Sequence, residues 1–117
     1  MSIKKSVEEL NNMILAGKIM EAFDRFYADD VVMQENSEKP RVGKDVNREF
    51  EKKFMESIDV FHGMKLNASA VTDDGKTAMN YWDMDVTMKG APRKESSQVA
   101  VQEWKDGKII KERFFYK

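Results

Sequence analysis

The sequence predicts an α+β protein in which three N-terminal helices pack on a strongly curved, mainly antiparallel sheet. Apolar residues recur at helical spacing in the first half of the chain, and from Asp59 onward they alternate with period two. The second half also contains two Asp-Gly turns, which are strong signals for β-hairpins. With 117 residues and no internal repeat, residues 1–117 are expected to form one domain with one hydrophobic core.

The composition narrows the classes of function. The chain has 20 Lys and Arg residues against 21 Asp and Glu residues, so no basic stripe for nucleic acid is expected. It has no cysteine, which excludes thiolate chemistry, and with one histidine a metal site would need mainly oxygen ligands. No metal and no cofactor are expected. No secretion signal and no apolar run of about 20 residues is present. A cytoplasmic protein without membrane association is therefore expected.

The first two predicted helices follow each other closely. Helix one is expected over Ser2–Ala16, with an end at Gly17. Helix two is expected to end at the pair Asp29-Asp30. The apolar residues that define these helices are Ile3, Val7, Leu10, Ile14, Ile19, Met20, Phe23, Phe26 and Tyr27.

A short strand and a third helix come next. In the predicted strand Val31–Glu35, Met33 and Glu35 share one face. A polar loop closed by Pro40 and Gly43 leads to helix three, expected from about Lys44 to Ser57. Its apolar residues recur every four positions and are expected to face inward: Val46, Phe50, Phe54 and, after the helix, Ile58.

From Asp59 the pattern predicts a meander of four antiparallel strands, with turns at 73–76, 89–93 and 105–108. Alternation assigns the faces of the strands. His62 falls on the apolar face of the first meander strand, together with Val60, Met64, Leu66, Ala68 and Ala70. Trp82 and Met84 fall on one face of the next strand, opposite Asp83 and Asp85. The following strand is ambiguous, and in the last one Glu112 shares its face with Ile110, Phe114 and Tyr116.

This order of elements, with the segments FYADDVVMQE, PRVGKDVNREF and VQEWKDGKIIKERFFY, resembles the SnoaL-like family of the nuclear transport factor 2-like superfamily. The resemblance covers nearly the whole chain. It implies a cystatin-like, cone-shaped fold with a pocket between the helices and the concave sheet, and a homodimer formed through the outer face of the sheet. The superfamily also contains ketosteroid isomerases, polyketide cyclases and dehydratases, and the resemblance to a ketosteroid isomerase is distant.

Compared with a ketosteroid isomerase, the resemblance places Glu35 in the register of the catalytic aspartate. It also implies that seven residues point inward: His62, Trp82, Gln98, Gln102, Glu112, Phe114 and Tyr116. The positions of that enzyme's oxyanion-binding tyrosine and protonated aspartic acid hold Leu10 and Ala100 here. Steroid isomerisation by that mechanism is therefore not expected.

The candidate catalytic residues are Glu35, His62 and Glu112. A desolvated Glu35 would be a proton acceptor or donor near neutral pH, but it could instead stay solvated or pair with Lys39 or Arg41. His62 could act as an acid or be a structural histidine. Glu112, Gln98 and Gln102 could form a structural network or orient a ligand. The candidate ligand-binding residues are Tyr27, Met33, Phe50, Phe54, Trp82, Met84, Gln98, Gln102, Phe114 and Tyr116.

An apolar set is expected on the outer face of the sheet: Phe61, Val71, Tyr81, Val99, Val101 and Phe115. A twofold homodimer would cover it, although charged residues are interspersed on the same side.

Three functions remain open from the sequence. The first is a cofactor-independent isomerase, cyclase, dehydratase or hydratase that acts on a small apolar carbonyl compound. The second is a non-catalytic protein that binds a small apolar ligand. The third is a module for dimerisation or protein docking.

Overall fold

The α+β class is confirmed by a computed structural model that describes residues 2–117. Three helices pack on one six-stranded mixed sheet with the strand order β2-β1-β6-β5-β4-β3. The elements are α1 (Lys4–Leu15), α2 (Ile19–Phe26), β1 (Tyr27–Glu35), β2 (Arg41–Val42), α3 (Lys44–Glu56), β3 (Ile58–Val71), β4 (Thr77–Met88), β5 (Arg93–Lys105) and β6 (Lys108–Tyr116). Among the described residues, no helix is long and apolar enough to cross a membrane.

The predicted four-strand meander is confirmed as β3 to β6, with antiparallel pairing throughout. The turn between β5 and β6 has Asp106 and Gly107 at positive φ, which matches the twist of a tight hairpin. The sheet continues from β6 to β1 by parallel pairing, which sets Met33 opposite Glu112. The strands β1 and β6, which are far apart in the sequence, therefore lie side by side on the sheet.

The second helix ends earlier than predicted. α2 stops at Phe26, and Tyr27 already belongs to β1. Asp29 and Asp30 do not end a helix; they lie in β1, where the pairing with β6 shifts register between Tyr27 and Val32. Tyr27 is nevertheless buried, and its ring stacks on Phe23 with centroids 4.7 Å apart.

Arg41 and Val42 belong to the predicted polar loop, but in the structure they form the short strand β2. Arg41 is paired with Met33 of β1, and Val42 is paired with Val32. Directly paired residues point to the same side of a sheet, so Arg41 faces the helices together with Met33. Glu35, two residues along β1, lies on that side as well.

The hydrophobic core lies between the helices and one end of the sheet. It consists of Val7, Leu10, Ala22, Phe23, Phe26, Tyr27, Val31, Met33, Ala78, Trp104 and Ile109. The presence of Ile109 corrects the face predicted for β6. A register shift between Glu103 and Trp104 pairs Trp104 with Ile109, which places Ile109 in the core and leaves Ile110 half-buried.

Candidate functional site

Glu112 of β6 is a buried carboxyl group, with only 2% of its surface exposed. The Tyr27 hydroxyl donates a hydrogen bond to Glu112 Oε1, and Gln102 Nε2 donates one to Oε2 at 2.7 Å. Burial raises the pKa of Glu112 to about 7, although both hydrogen bonds oppose this change by stabilising the carboxylate. Burial and the adjacent Glu112 charge also raise the pKa of Tyr27.

A buried polar network fixes the side chain of Gln102. Its Oε1 accepts hydrogen bonds from Trp104 Nε1 at 3.2 Å and from Asn80 Nδ2 at 3.4 Å. Because Oε1 already accepts from these two donors, the amide nitrogen is directed towards Glu112. Asn80 in turn accepts a hydrogen bond from Asn11 of α1 at 2.9 Å. This network therefore links helix α1, through strands β4 and β5, to Glu112.

Glu35 lies at the edge of the same inner region and forms an ion pair. Arg41 Nη2 donates to Glu35 Oε2 at 2.9 Å, and the two side chains are 16% and 15% exposed. The Tyr116 hydroxyl lies 3.4 Å from Glu35 Oε1. Of the interpretations left open by the sequence, the structure therefore shows Glu35 facing inward and paired with Arg41.

Arg41 is held on three sides. Its guanidinium carbon lies 3.5 Å from the centre of the Phe50 ring. Its Nε donates to Asn47 Oδ1 at 3.0 Å, and its Nη2 donates to Glu35. Asn47 is fully buried, and its amide nitrogen donates to the main-chain oxygens of Arg41 and Gly43 at 3.0 and 2.8 Å. Asn47 thus ties the start of α3 to β2 and fixes the position of Arg41.

Glu51 of α3 also belongs to this region, although it is not among the candidate residues predicted from the sequence. Its pKa is raised to about 7, chiefly by burial and also by the negative charge of Glu35, while the positive charge of Arg41 opposes this increase. Its charge also contributes to the raised pKa values of Glu112 and Tyr27. Three carboxyl groups from β1, α3 and β6 therefore lie close enough for their charges to interact, with Arg41 beside them. We call Glu35, Arg41, Glu51 and Glu112 the carboxyl cluster.

The inward face of α3 differs from the prediction. Asn47 is the buried residue of this helix, while Val46 is more than half exposed. Phe50 and Phe54, predicted to point inward, are 37% and 36% exposed. Spacing by four links Asn47 to Glu51, and this polar stripe lies next to the apolar one. That spacing was the available signal for Glu51.

His62 does not join the carboxyl cluster, so its predicted inward orientation is wrong. On β3, Phe61 pairs with Val86 and Gly63 pairs with Asp85, which leaves His62 as an extra residue in a β-bulge. The exposed His62 places Nε2 2.8 Å from the Thr87 hydroxyl on the outer face. The bulge breaks the strict alternation on which the prediction relied.

The other predicted ligand-binding residues occupy different depths. Met33, Trp82, Gln102 and Tyr27 are buried, so Tyr27 does not lie at a pocket mouth. Met84, Gln98 and Phe114 are half-buried, and Tyr116 is 40% exposed. The ambiguous strand β5 directs Ala100, Gln102 and Trp104 to the buried side.

The outer face of the sheet carries part of the predicted apolar set. Tyr81 and Phe115 are exposed, and Tyr81 is paired with Val99, which is paired with Phe115. Phe61 and Val71 do not belong to this set. Val71 packs against the hydrophobic core, and Phe61 is paired with the buried Val86.

Two surface cavities lie away from the carboxyl cluster. A cavity of about 540 Å³ is lined by Gly63, Met64, Lys65, Asp83, Met84, Asp85, Glu95, Ser96 and Ser97. A second, of about 310 Å³, is lined by Asp29, Gly43, Lys44, Asp45, Val46 and Arg48. Over residues 2–117, no group of three or more potential metal ligands is arranged to hold an ion.

The family model described as "SnoaL-like domain" matches residues 1–116, which is nearly the whole chain. This chain belongs to the SnoaL-like family. The resemblance stated from the sequence is thereby confirmed. No functionally curated protein gives a significant match to this SnoaL-like protein.

Solved structures agree with this assignment. A Mesorhizobium loti protein provisionally named a SnoaL-like polyketide cyclase has 26% identity and a TM-score of 0.89, over 99% of this chain and 100% of that one. A provisional polyketide cyclase from Pseudomonas putida has 18% identity and a TM-score of 0.82, over 100% and 92%. The epoxide hydrolase/cyclase-like enzyme SalBIII, of pyran ring formation in salinomycin, has 18% identity and a TM-score of 0.79, over 97% and 89%. The last two likenesses show the shared SnoaL-like fold.

Proposed function

We propose that this SnoaL-like protein is a cofactor-independent acid–base enzyme that acts on a small, largely apolar carbonyl compound. Isomerisation, cyclisation and dehydration fall within this proposal because each can begin with the removal of a proton next to a carbonyl group. Hydration is the reverse of such a dehydration, and it ends with the return of that proton to the α-carbon. The observation that carries the proposal is a group of three carboxyl residues, Glu35, Glu51 and Glu112, whose charges act on one another, with Glu35 paired to Arg41 at 2.9 Å. A carboxyl group with a pKa near the working pH is suited to both accept and donate protons.

The geometry favours Glu51, rather than Glu35, as the group that exchanges a proton with the substrate. Glu35 is held by Arg41 at 2.9 Å, and Glu112 is too deeply buried to touch a ligand. Glu51 keeps partial contact with solvent, and its pKa is about 7. At neutral pH a substantial fraction of Glu51 is therefore deprotonated and able to act as a base.

Glu112 influences the protonation of Glu51. The charges of the two carboxyl groups repel each other, so the pair favours states in which one of them holds a proton. The hydrogen bonds from Tyr27 and Gln102 keep Glu112 in a fixed position. The partly exposed rings of Phe50 and Phe54, on the same helix as Glu51, provide apolar surface that an apolar ligand could contact.

The test is the exchange of α-hydrogens of simple carbonyl compounds in deuterium oxide, measured by mass spectrometry. Beta-tetralone and ethyl acetoacetate are suitable probes because their α-carbons are acidic. The wild-type protein is expected to accelerate deuterium incorporation, and Glu51→Gln is expected to reduce the acceleration by about 10²–10⁴-fold. The matched control is Glu49→Gln on the exposed side of the same helix. Equal rates for wild type and Glu51→Gln would contradict the assignment of Glu51.

The alternative function is non-catalytic binding of an apolar ligand. The ion pair between Glu35 and Arg41 favours this alternative, because an ion pair between two side chains can stabilise the fold without taking part in a reaction. A carrier would bind beta-tetralone without accelerating exchange, so the same assay combined with a binding measurement separates the two functions.

We also propose that two copies associate through the outer face of the sheet. The exposed Tyr81 and Phe115, connected across β5 by Val99, form an apolar row that a second copy would cover. Tyr81→Glu is expected to give a monomer in light scattering, whereas the wild type gives a dimer. A wild-type monomer at micromolar concentration would contradict this proposal.

A further inference from the structure

Arg41 is a shielded cation with unused hydrogen-bonding capacity. A guanidinium group carries five N–H donors. Within residues 2–117, two of them are used, by Asn47 and by Glu35, which leaves three without a protein acceptor. The side chain is 16% exposed, and no guanidinium nitrogen of Arg41 is among the buried atoms without a partner, so these donors lie at an accessible position. A ligand oxygen that reaches them can accept their hydrogen bonds in place of water.

The surroundings of Arg41 fix its position before any ligand arrives. Phe50 covers one face of the guanidinium plane, and Asn47 is itself anchored by main-chain oxygens on both sides of the β2–α3 junction. A donor held in place in this way does not need to reorganise when charge develops on a bound oxygen. Such preorganised donors account for large effects on reaction barriers.

The charges of the carboxyl cluster restrict the ligand. The carboxyl cluster contains one cationic side chain, Arg41, and three carboxyl groups, those of Glu35, Glu51 and Glu112. A ligand that arrives as an anion would be repelled by the carboxylates. A neutral carbonyl compound is not repelled, and its oxygen can accept a hydrogen bond from Arg41.

We propose that Arg41 is the catalytic residue that binds the carbonyl oxygen of the substrate and stabilises the enolate formed when Glu51 removes the α-proton. The substrate is accordingly a neutral ketone or ester with an α-hydrogen. This inference rests on the proposed acid–base function and adds to it the oxyanion site that Leu10 and Ala100 cannot supply.

The step is balanced in atoms and charge. The bond between carbon and the α-hydrogen breaks, and the proton moves to the Glu51 carboxylate. The electron pair of that bond forms the carbon–carbon double bond of the enolate, and the carbonyl π pair moves to the oxygen beside Arg41. Negative charge is thereby transferred from Glu51 to an oxygen next to a cation. The enolate then takes back a proton at another position, expels a leaving group or attacks a second carbonyl group.

The experiment uses para-nitrophenol as a stable stand-in for the enolate, because its phenolate form absorbs visible light. The Glu51→Gln variant is the appropriate background, since a neutral amide mimics Glu51 after it has accepted the proton. In this variant, the pKa of bound para-nitrophenol is expected to fall by about one unit or more below that of the free compound. In the double variant E51Q/R41Q this decrease is expected to disappear.

The matched control is E51Q/K52Q, which also removes one positive charge but from an exposed position on α3. It is expected to retain the decrease. If circular dichroism shows that R41Q prevents folding, the variant E51Q/R41K takes its place. Lysine keeps the positive charge but lacks the planar guanidinium group, so only part of the decrease in the pKa of bound para-nitrophenol is expected to remain. An equal decrease in the Arg41 variants, or no preference of the E51Q protein for the phenolate, would overturn the proposal.

The two proposals fail in different measurements. The phenol experiment measures equilibrium binding and needs no turnover, whereas the role of Glu51 is tested by deuterium exchange. Loss of exchange in Glu51→Gln together with an unchanged phenolate preference in E51Q/R41Q would reject Arg41 alone. Unchanged exchange in Glu51→Gln would reject the acid–base function itself.

Discussion

The raised pKa of Glu51 predicts a measurable dependence of stability on pH. Glu51 titrates near pH 7 in the folded protein, against an ordinary value of 4.5. Between these two pH values the folded state binds more protons than the unfolded state, so stability falls as pH rises through this range. The contribution of Glu51 is fully present below about pH 4.5 and is lost above about pH 7. Glu51→Gln removes this contribution, because an amide does not titrate.

The magnitude follows from the two pKa values. A difference from 4.5 to about 7 corresponds to roughly 3 kcal/mol, at about 1.4 kcal/mol for each pH unit. The wild type is therefore expected to lose up to roughly 3 kcal/mol more unfolding free energy than Glu51→Gln between pH 4.5 and pH 8. Glu112 acts in the same direction but is present in both proteins. Its repulsion with Glu51 makes the two contributions less than additive.

The assay is equilibrium unfolding in urea at several pH values, followed by tryptophan fluorescence. Glu49→Gln is the control, because the Glu49 side chain is 65% exposed. It is expected to run parallel to the wild type, whereas Glu51→Gln gives a flatter curve. Parallel curves for Glu51→Gln and the wild type would refute the placement of Glu51 in a desolvated, negatively charged environment.

Three further substitutions test other contacts. Asn47→Ala is expected to lower the unfolding free energy by about 2–4 kcal/mol, because it leaves main-chain oxygens and Arg41 without buried partners; a urea midpoint equal to that of the wild type would contradict this. Tyr27→Phe keeps the stacked ring but removes a donor to Glu112, so we expect a loss of about 1–3 kcal/mol at pH 8. A change well below this range would show that the bond is not needed. His62→Ala is expected to change stability by less than about 0.5 kcal/mol and to leave deuterium exchange unaffected, since His62 is exposed on the outer face. Loss of exchange in this variant would place His62 in the mechanism after all.

The fold could be predicted from the sequence because its main signals are local. Helical spacing of apolar residues and the Asp-Gly turns determine which segments become helices and hairpins. The order of elements was therefore recovered, including the meander. β2 was missed because a strand of two residues has no periodicity of its own. It forms only because β1 provides a partner for Arg41 and Val42.

The candidate site was harder to predict because it depends on which side chains of each helix and strand face inward. Hydrophobic periodicity directed Phe50 inward, yet Asn47 is the buried residue of α3, since its amide group satisfies main-chain oxygens that would otherwise be unpaired. Glu51 follows Asn47 inward by helical geometry. The inversion of His62 arises from a β-bulge next to Gly63, and the isolated glycine inside the strand was the available signal for it. Glu35 and Glu112, which lie beyond such irregularities, were placed on the correct face.

The hydrogen bond between Tyr27 and Glu112 joins residues that are 85 positions apart in the chain. Contacts of such long sequence separation require the closure of a long loop before they are formed, and they slow folding. During refolding, the helices and the three hairpins of the meander can therefore be complete while the first strand has not yet docked on the last. Molecules in that condition would show nearly native circular dichroism but would lack the proposed deuterium exchange activity. The recovery of activity would then report the pairing of β1 with β6, and it would occur later than the recovery of secondary structure.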